Sequence, residues 1–298
     1  LYKATAYPLH HWGFVIQSAA TLMGVIWAYQ IFCKKAKDVR PSTACISLLG
    51  EKNARGIFGK VIDALFAISI LTGVVTAVGV NVPTVSALIG RSFGIRMNFQ
   101  TEAVVIIMWS VVMALLLYTG LSKGVKYLSN FRVIVGFGLL AFLLIVGPTS
   151  YILNATLDNI GMYLQNIVRL TFNTDTYAAS GTPQNWTIFY WCWYLALAIH
   201  NGLFFAKISR GRTVRQTVIG ALAAQTLGSW LFFGVFQNYS IYIQQNYHVD
   251  LASIIAASGQ GAAIVALWDY IPFIKFLYPV LMVFGFLCMQ TLLNGNVY

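Results

Sequence analysis

Between Trp186 and Arg212 the chain reads WTIFYWCWYLALAIHNGLFFAKISRGR. The first half is an aromatic-rich apolar helix; the second stops at Lys207, Arg210 and Arg212. Ring faces attract positive charge even where water is absent, so aromatics at helical spacing inside such a helix can box a small cation. The same rings can instead pack against neighbouring helices or belt the membrane interface. An arginine is the other group of interest. Arg132 lies in KYLSNFRVIVGFGLLAF, about two turns into an apolar run. An arginine near a bilayer centre costs roughly 2.5–3.5 kcal/mol on insertion scales, so it must find carbonyls, a carboxylate or water, or snorkel to the edge near Lys126. Gln290, Thr291 and Asn294 cluster late in the last apolar run, where they can bind an ion or hydrogen-bond a neighbouring helix.

Other chemistries find little support. Cys33, Cys45, Cys192 and Cys288 show neither metal-ligand spacing nor a paired framework. No carboxylate pair, nucleophile elbow or phosphate loop stands out, which argues against an enzyme and against a cofactor or metal. His10 and His11 sit at the outer entrance of the first apolar run, His248 falls in a polar stretch, and His200 falls mid-membrane. Asp63, three residues past Lys60, reads as interfacial.

The elements that would position these groups are membrane helices. Hydrophobic residues make up 58% of the 298 and charged residues 9%, against about 25% charged in soluble domains. Apolar runs of about 20 residues predict spans near 9–32, 58–82, 99–121, 126–149, 186–206, 216–237 and 271–294. Residues 151–172 mix apolar residues with Asn154, Asp158, Gln165 and Arg169, which suits a helix lying in the interface. Residues 240–268, broken by Asn246, His248, Ser258 and Gly259, read as an outer loop with a short helix.

The net charge of +11 marks topology. Alternate loops hold Lys34, Lys35, Lys37, Arg40, Lys52, Arg55 and Lys60, then Lys123 and Lys126, then Lys207, Arg210, Arg212 and Arg215. The loops between them hold Arg91, Arg96 and Arg169. This positive-inside asymmetry places the start of the chain outside and Lys207–Arg215 in the cytoplasm. The basic excess suits contact with anionic membrane lipid and implies no nucleic-acid partner.

The stretch from Trp186 to Arg212 closely resembles the eighth helix and following loop of the betaine/carnitine/choline transporters (BCCT). The likeness is dense at Trp186-Thr187-Ile188-Phe189-Tyr190-Trp191, at Trp193, and at Ile208-Ser209-Arg210-Gly211-Arg212-Thr213. His11-Trp12-Gly13 is similar to the start of the family's fourth helix. Arg40-Pro41-Ser42 with Gly50, Gly56, Gly59 and Asp63 resembles the loop into its fifth. Gly120 to Asn130 and Gly147-Pro148-Thr149 are similar to its seventh-helix region. The resemblance implies an all-α polytopic fold with part of a LeuT-like inverted repeat: about seven transmembrane helices plus an interfacial helix, one domain over 1–298. It also implies a fragment covering family helices four to ten, seated in a bacterial inner membrane as a possible homotrimer.

What the resemblance implies about function is transport of a small quaternary ammonium solute by alternating access. The family's substrate aromatics fall on Trp193, Tyr194 and Leu197: the first kept, the second exchanged within aromatics, the third lost. Positions 193, 197 and 200 share one helix face, so that face presents Trp193, Leu197 and His200 with Asn201 beside them. His200 and Asn201 either bind the substrate's carboxylate or polar tail or bridge helices. Sodium-coupled members use a hydroxyl pair that falls on Gln290 and Thr291, where one hydroxyl is missing. The carnitine/γ-butyrobetaine antiporters carry an arginine in place of sodium, and Arg132 falls there. Both departures imply sodium-independent exchange. The alternatives are a sodium-coupled symporter of betaine or another amine or sulfonium solute, and a non-transporting membrane sensor or structural subunit.

Overall fold

The computed structural model describes residues 2–36, 38–95, 97–118 and 122–297, with side chains except at 2–4, 113, 116, 117, 122–126, 128 and 289–297. In hydrocarbon a backbone amide has no water to bond, so an apolar chain satisfies its N–H and C=O groups within helices. The described residues contain no strand. Their α-helices are α1 (Tyr2–His11), α2 (Phe14–Ala28), α3 (Pro41–Ala44), α4 (Ile46–Ala54), α5 (Ile57–Phe93), α6 (Phe99–Tyr118), α7 (Ser122–Val146), α8 (Thr149–Thr171), α9 (Phe189–Ile208), α10 (Val214–Tyr247), α11 (Leu251–Trp268) and α12 (Ile274–Val297). A π-helical turn at Tyr29–Cys33 continues α2, and another at Pro183–Ile188 leads into α9.

Among the described residues, six helical segments are long and apolar enough to cross a bilayer: Thr5–Cys33, Ile57–Phe93, Ser129–Val146, Pro183–Ile208, Val214–Tyr247 and Leu251–Trp268. Phe99–Val112 and Ile274–Cys288 are shorter apolar helices. All seven expected spans fall on these elements. The first is interrupted at Trp12–Gly13, where α1 ends and α2 begins. The amphipathic segment is α8, which buries Ile152, Tyr163 and Leu170 and exposes Asn154, Asp158, Gln165 and Arg169.

The stretch 240–268 differs from its expectation. It is not a loop with a short helix: α10 continues to Tyr247, and α11 is an 18-residue helix. Ile254, Ile255, Ile264, Val265 and Leu267 outweigh the scattered Ser and Gly, and the segment is as apolar as Val214–Tyr247. The breakers act locally. His248 turns the chain at φ +51. Asp250 caps α11 by accepting from the Ser253 N–H and hydroxyl at 3.1 and 2.6 Å, and these bonds hold its carboxyl below the usual range. Gly259, at φ +81, divides α11 into two half-helices with a conformation only glycine adopts freely.

The chain forms two compact units: Leu1–Gly73 with Leu157–Phe233, and Val74–Thr156 with Gly234–Tyr298. In the first, α2 and α9 make the closest pair. Their backbones meet at Gly24 and Gly202: a Cβ on Gly202 would lie 2.5 Å from the Met23 Cβ and 2.8 Å from the Gly24 nitrogen. Small residues at a crossing let membrane helices approach this closely. The Trp27 indole donates to the Ile199 carbonyl at 3.0 Å beside that crossing. A second cluster joins Ala6, Leu9, Tyr163, Leu170 and Trp230, and the Trp230 indole donates to the Leu9 carbonyl at 3.0 Å. Asp63 accepts from the Ser42 N–H and hydroxyl, each at 2.9 Å, and so caps α3.

In the second unit α12 packs on α7 and α6. Trp109 stacks on Phe286 at 5.4 Å and donates to its carbonyl at 3.3 Å. Arg91 forks onto Asp269, Nε to Oδ1 at 3.1 Å and Nη2 to Oδ2 at 2.7 Å, and the Tyr278 hydroxyl donates to the same carboxylate.

Candidate substrate site

The five candidate residues on α9 divide between two directions. Trp193 and Leu197, one turn apart, face α5. The Trp193 indole donates to the Gly73 carbonyl at 2.8 Å, and Leu197 packs on the same glycine. Tyr194 points to α2 and α10 and is buried. Its hydroxyl bonds the Gln17 side-chain amide and, at 2.9 Å, the Gln225 amide oxygen. The Gln225 nitrogen donates to the Thr21 hydroxyl at 3.2 Å and the Ala221 carbonyl at 3.1 Å. The Gln17 nitrogen likewise donates to the Trp12 carbonyl at 3.5 Å and its oxygen faces Tyr194, so the two amide oxygens share the one hydroxyl proton. The Thr21 hydroxyl donates to the Gln17 carbonyl at 3.0 Å, which closes a ring of polar groups across three helices. His200 and Asn201 are half-buried and lie further along α9, next to the Gly202 crossing.

A cavity of about 300 Å³ opens beside this cluster, lined chiefly by Tyr7, His11, Trp12, Trp186, Tyr190 and Phe233. That size is at the small end of ligand pockets, about 300–1,000 Å³. Trp186 stacks on Tyr190 at 6.2 Å and 15°, and Trp12 meets Tyr190 at 6.4 Å and 64°. Trp12 also turns its ring edge-on to Trp193 at 6.0 Å and to Tyr194 at 6.1 Å. Trp193 and Tyr194 thus back the Trp12 wall without lining the cavity, and Leu197, His200 and Asn201 do not reach it. No lining residue carries a carboxylate. The five candidates expected from sequence all lie on α9, whereas this cavity is lined from two directions, by Trp186 and Tyr190 at i and i+4 and by His11 and Trp12 at the α1–α2 break.

A box of rings without a counter-charge suits a cation that cannot donate hydrogen bonds, and one comparison decides the family. The family model described as BCCT, betaine/carnitine/choline family transporter, matches residues 1–298. The chain belongs to the BCCT family. BCCT proteins are multi-pass secondary transporters of betaine-, carnitine- and choline-type solutes, not enzymes.

The coupling candidates of this BCCT chain lie in the second unit. Arg132 is half-buried on α7, within electrostatic range of Cys288 on α12. α7 packs on α12, which carries Gln290 and Thr291, whose own side chains lie outside the described residues.

Proposed function

We propose that this chain is the transport core of a carrier that exchanges quaternary ammonium solutes without sodium. The cavity of Trp12, Trp186 and Tyr190 carries the reading. A quaternary ammonium has no N–H to donate, so ring faces and dispersion are what can hold it. Each face contributes about 0.5–2 kcal/mol. Of the aromatic positions that the family resemblance implies, Trp193 and Tyr194 contribute by fixing the Trp12 ring from behind. Sodium independence rests on Arg132: a guanidinium offers five donors in a planar fork and can hold several carbonyls at once. Lys207–Arg215 is the cytoplasmic loop by its charge. The membrane, by the same reading a bacterial inner membrane, supplies anionic lipid for the basic loops, and the assembly is a homotrimer.

Uptake of radiolabelled choline, carnitine and betaine into liposomes holding the full-length protein tests this reading. At least one is exchanged, and Trp186→Ala or Tyr190→Ala raises its KM about two- to thirtyfold, the loss of one ring face. Exchange of none of them would remove the reading in favour of a binding-only membrane protein.

A further inference from the structure

His10 and His11 are adjacent in sequence but differ in surroundings. His10 is fully buried, wedged between Tyr163 at 5.8 Å and Trp191 at 5.0 Å, and does not line the cavity. His11 does line it. Its Nε2 lies 2.8 Å from the Thr187 hydroxyl, and its ring stacks on Tyr190 at 5.5 Å and 21°.

We propose that His11 is a proton-binding site that competes with the transported cation, so that a proton and a quaternary ammonium exclude each other from the aromatic cavity. The inference rests on the quaternary ammonium reading above. Three features carry it. A hydroxyl both donates and accepts, so Thr187 satisfies the imidazole Nε2 whether or not it holds a proton. The ring is already stacked on Tyr190, so protonation places a charge at the cavity wall without moving a side chain. It also places a like charge in a wall with no carboxylate to offset it.

The titratable groups around His11 are Tyr7 and His10 on its own helix, Tyr190 from α9 and, beyond His10, Tyr163 from α8. The neighbouring α10 contributes Phe233 and Trp230, which do not titrate. No carboxylate is among these groups, so the charges that change are those of His10 and His11, and of the two His11 is the one that lines the cavity. The proton comes from solution to the imidazole nitrogen and returns there when the cation binds. Mutual exclusion at one site is the elementary requirement of exchange.

The test is radiolabelled choline binding to the full-length protein in nanodiscs, between about pH 8 and pH 3.5. The wild-type Kd should rise severalfold at the acid end, in proportion to the share of His11 that holds a proton. In His11→Gln the ratio of Kd at the two pH values should fall to about one, whatever the absolute affinity. His10→Gln should keep the wild-type ratio. A wild-type Kd that is flat with pH, or a ratio that persists in His11→Gln, overturns the inference. Absence of choline binding at either pH overturns both this inference and the substrate reading. Should His11→Gln fail to fold, nitrogen-labelled imidazole NMR of the wild type decides. By linkage, saturating choline must lower the proton affinity of His11 by the same factor, and an unmoved titration midpoint overturns the inference.

Discussion

The two compact units handle positive charge by opposite means. The first surrounds a cavity with Trp12, Trp186 and Tyr190 and, among the described residues, places no carboxylate, lysine or arginine on its wall. The second carries two guanidinium groups of note: Arg91, forked onto Asp269, and Arg132 on α7. Rings attract a cation weakly and over a broad area, so it can enter and leave. A guanidinium is fixed and holds acceptors in one arrangement. The contrast is between the ring-walled cavity and these two guanidinium sites, since the basic loops at 34–60 and 207–215 also belong to the first unit.

The largest effect is expected at Arg132. Arg132→Ala should abolish exchange in sodium-free buffer, because each carbonyl it leaves unpaired in low dielectric costs about 1–3 kcal/mol. Added sodium should restore part of the exchange, while the wild type ignores sodium. Proteoliposome flux with and without sodium measures this. Sodium-dependent wild-type flux would break the comparison, since the second unit would then handle a mobile ion as well.

A smaller effect is expected in the polar ring behind the cavity. Tyr194→Phe leaves the Gln17 and Gln225 amides without their shared hydroxyl, which should lower stability by about 1–3 kcal/mol. Thermal denaturation in detergent reads that loss, and the KM should move less than in Trp186→Ala. A KM change as large as that of Trp186→Ala would put Tyr194 in the cavity wall rather than behind it.

The smallest is expected at Arg91. Its pair with Asp269 is about half exposed on the arginine side, and exposed pairs contribute about 0.2–1 kcal/mol. Arg91→Ala should shift the melting transition only slightly and leave exchange intact. Loss of exchange there would show that the second unit's permanent charges act together.

The legible parts were those written in local pattern. Apolar runs gave the spans, and the mixed composition of 151–172 gave the amphipathic α8. The helical character of 251–268 was harder to read, because small and polar residues obscured its apolar sum. The cavity was legible only in halves. Trp186 and Tyr190 were conspicuous, but His11 and Thr187 stand 176 residues apart, and no periodicity on one helix reports a partner on another. The ring of Gln17, Tyr194, Gln225 and Thr21 was hidden for the same reason. Each is an ordinary polar residue on an apolar helix until three helices bring them into bonding distance.

The contact between Gly24 and Gly202 sets a gauge. Around Gly24 and Gly202 the helices α2 and α9 leave no room for another side chain, the Phe205 and Met23 Cβ atoms closing the gap. Trp12, just ahead of α2, and Tyr190 on α9 lie about three helical turns from this contact, so the pair it joins sets the span between them, much as the jaws of a spanner are set. A solute in this cavity would then be sized by walls carried on the closest-packed pair of helices. Any opening of the cavity must come from the walls that this clamp does not grip, Tyr7 on the far side of the α1–α2 break and Phe233 on α10. Selectivity and access would thus reside in different helices, and a substitution that widens one need not disturb the other.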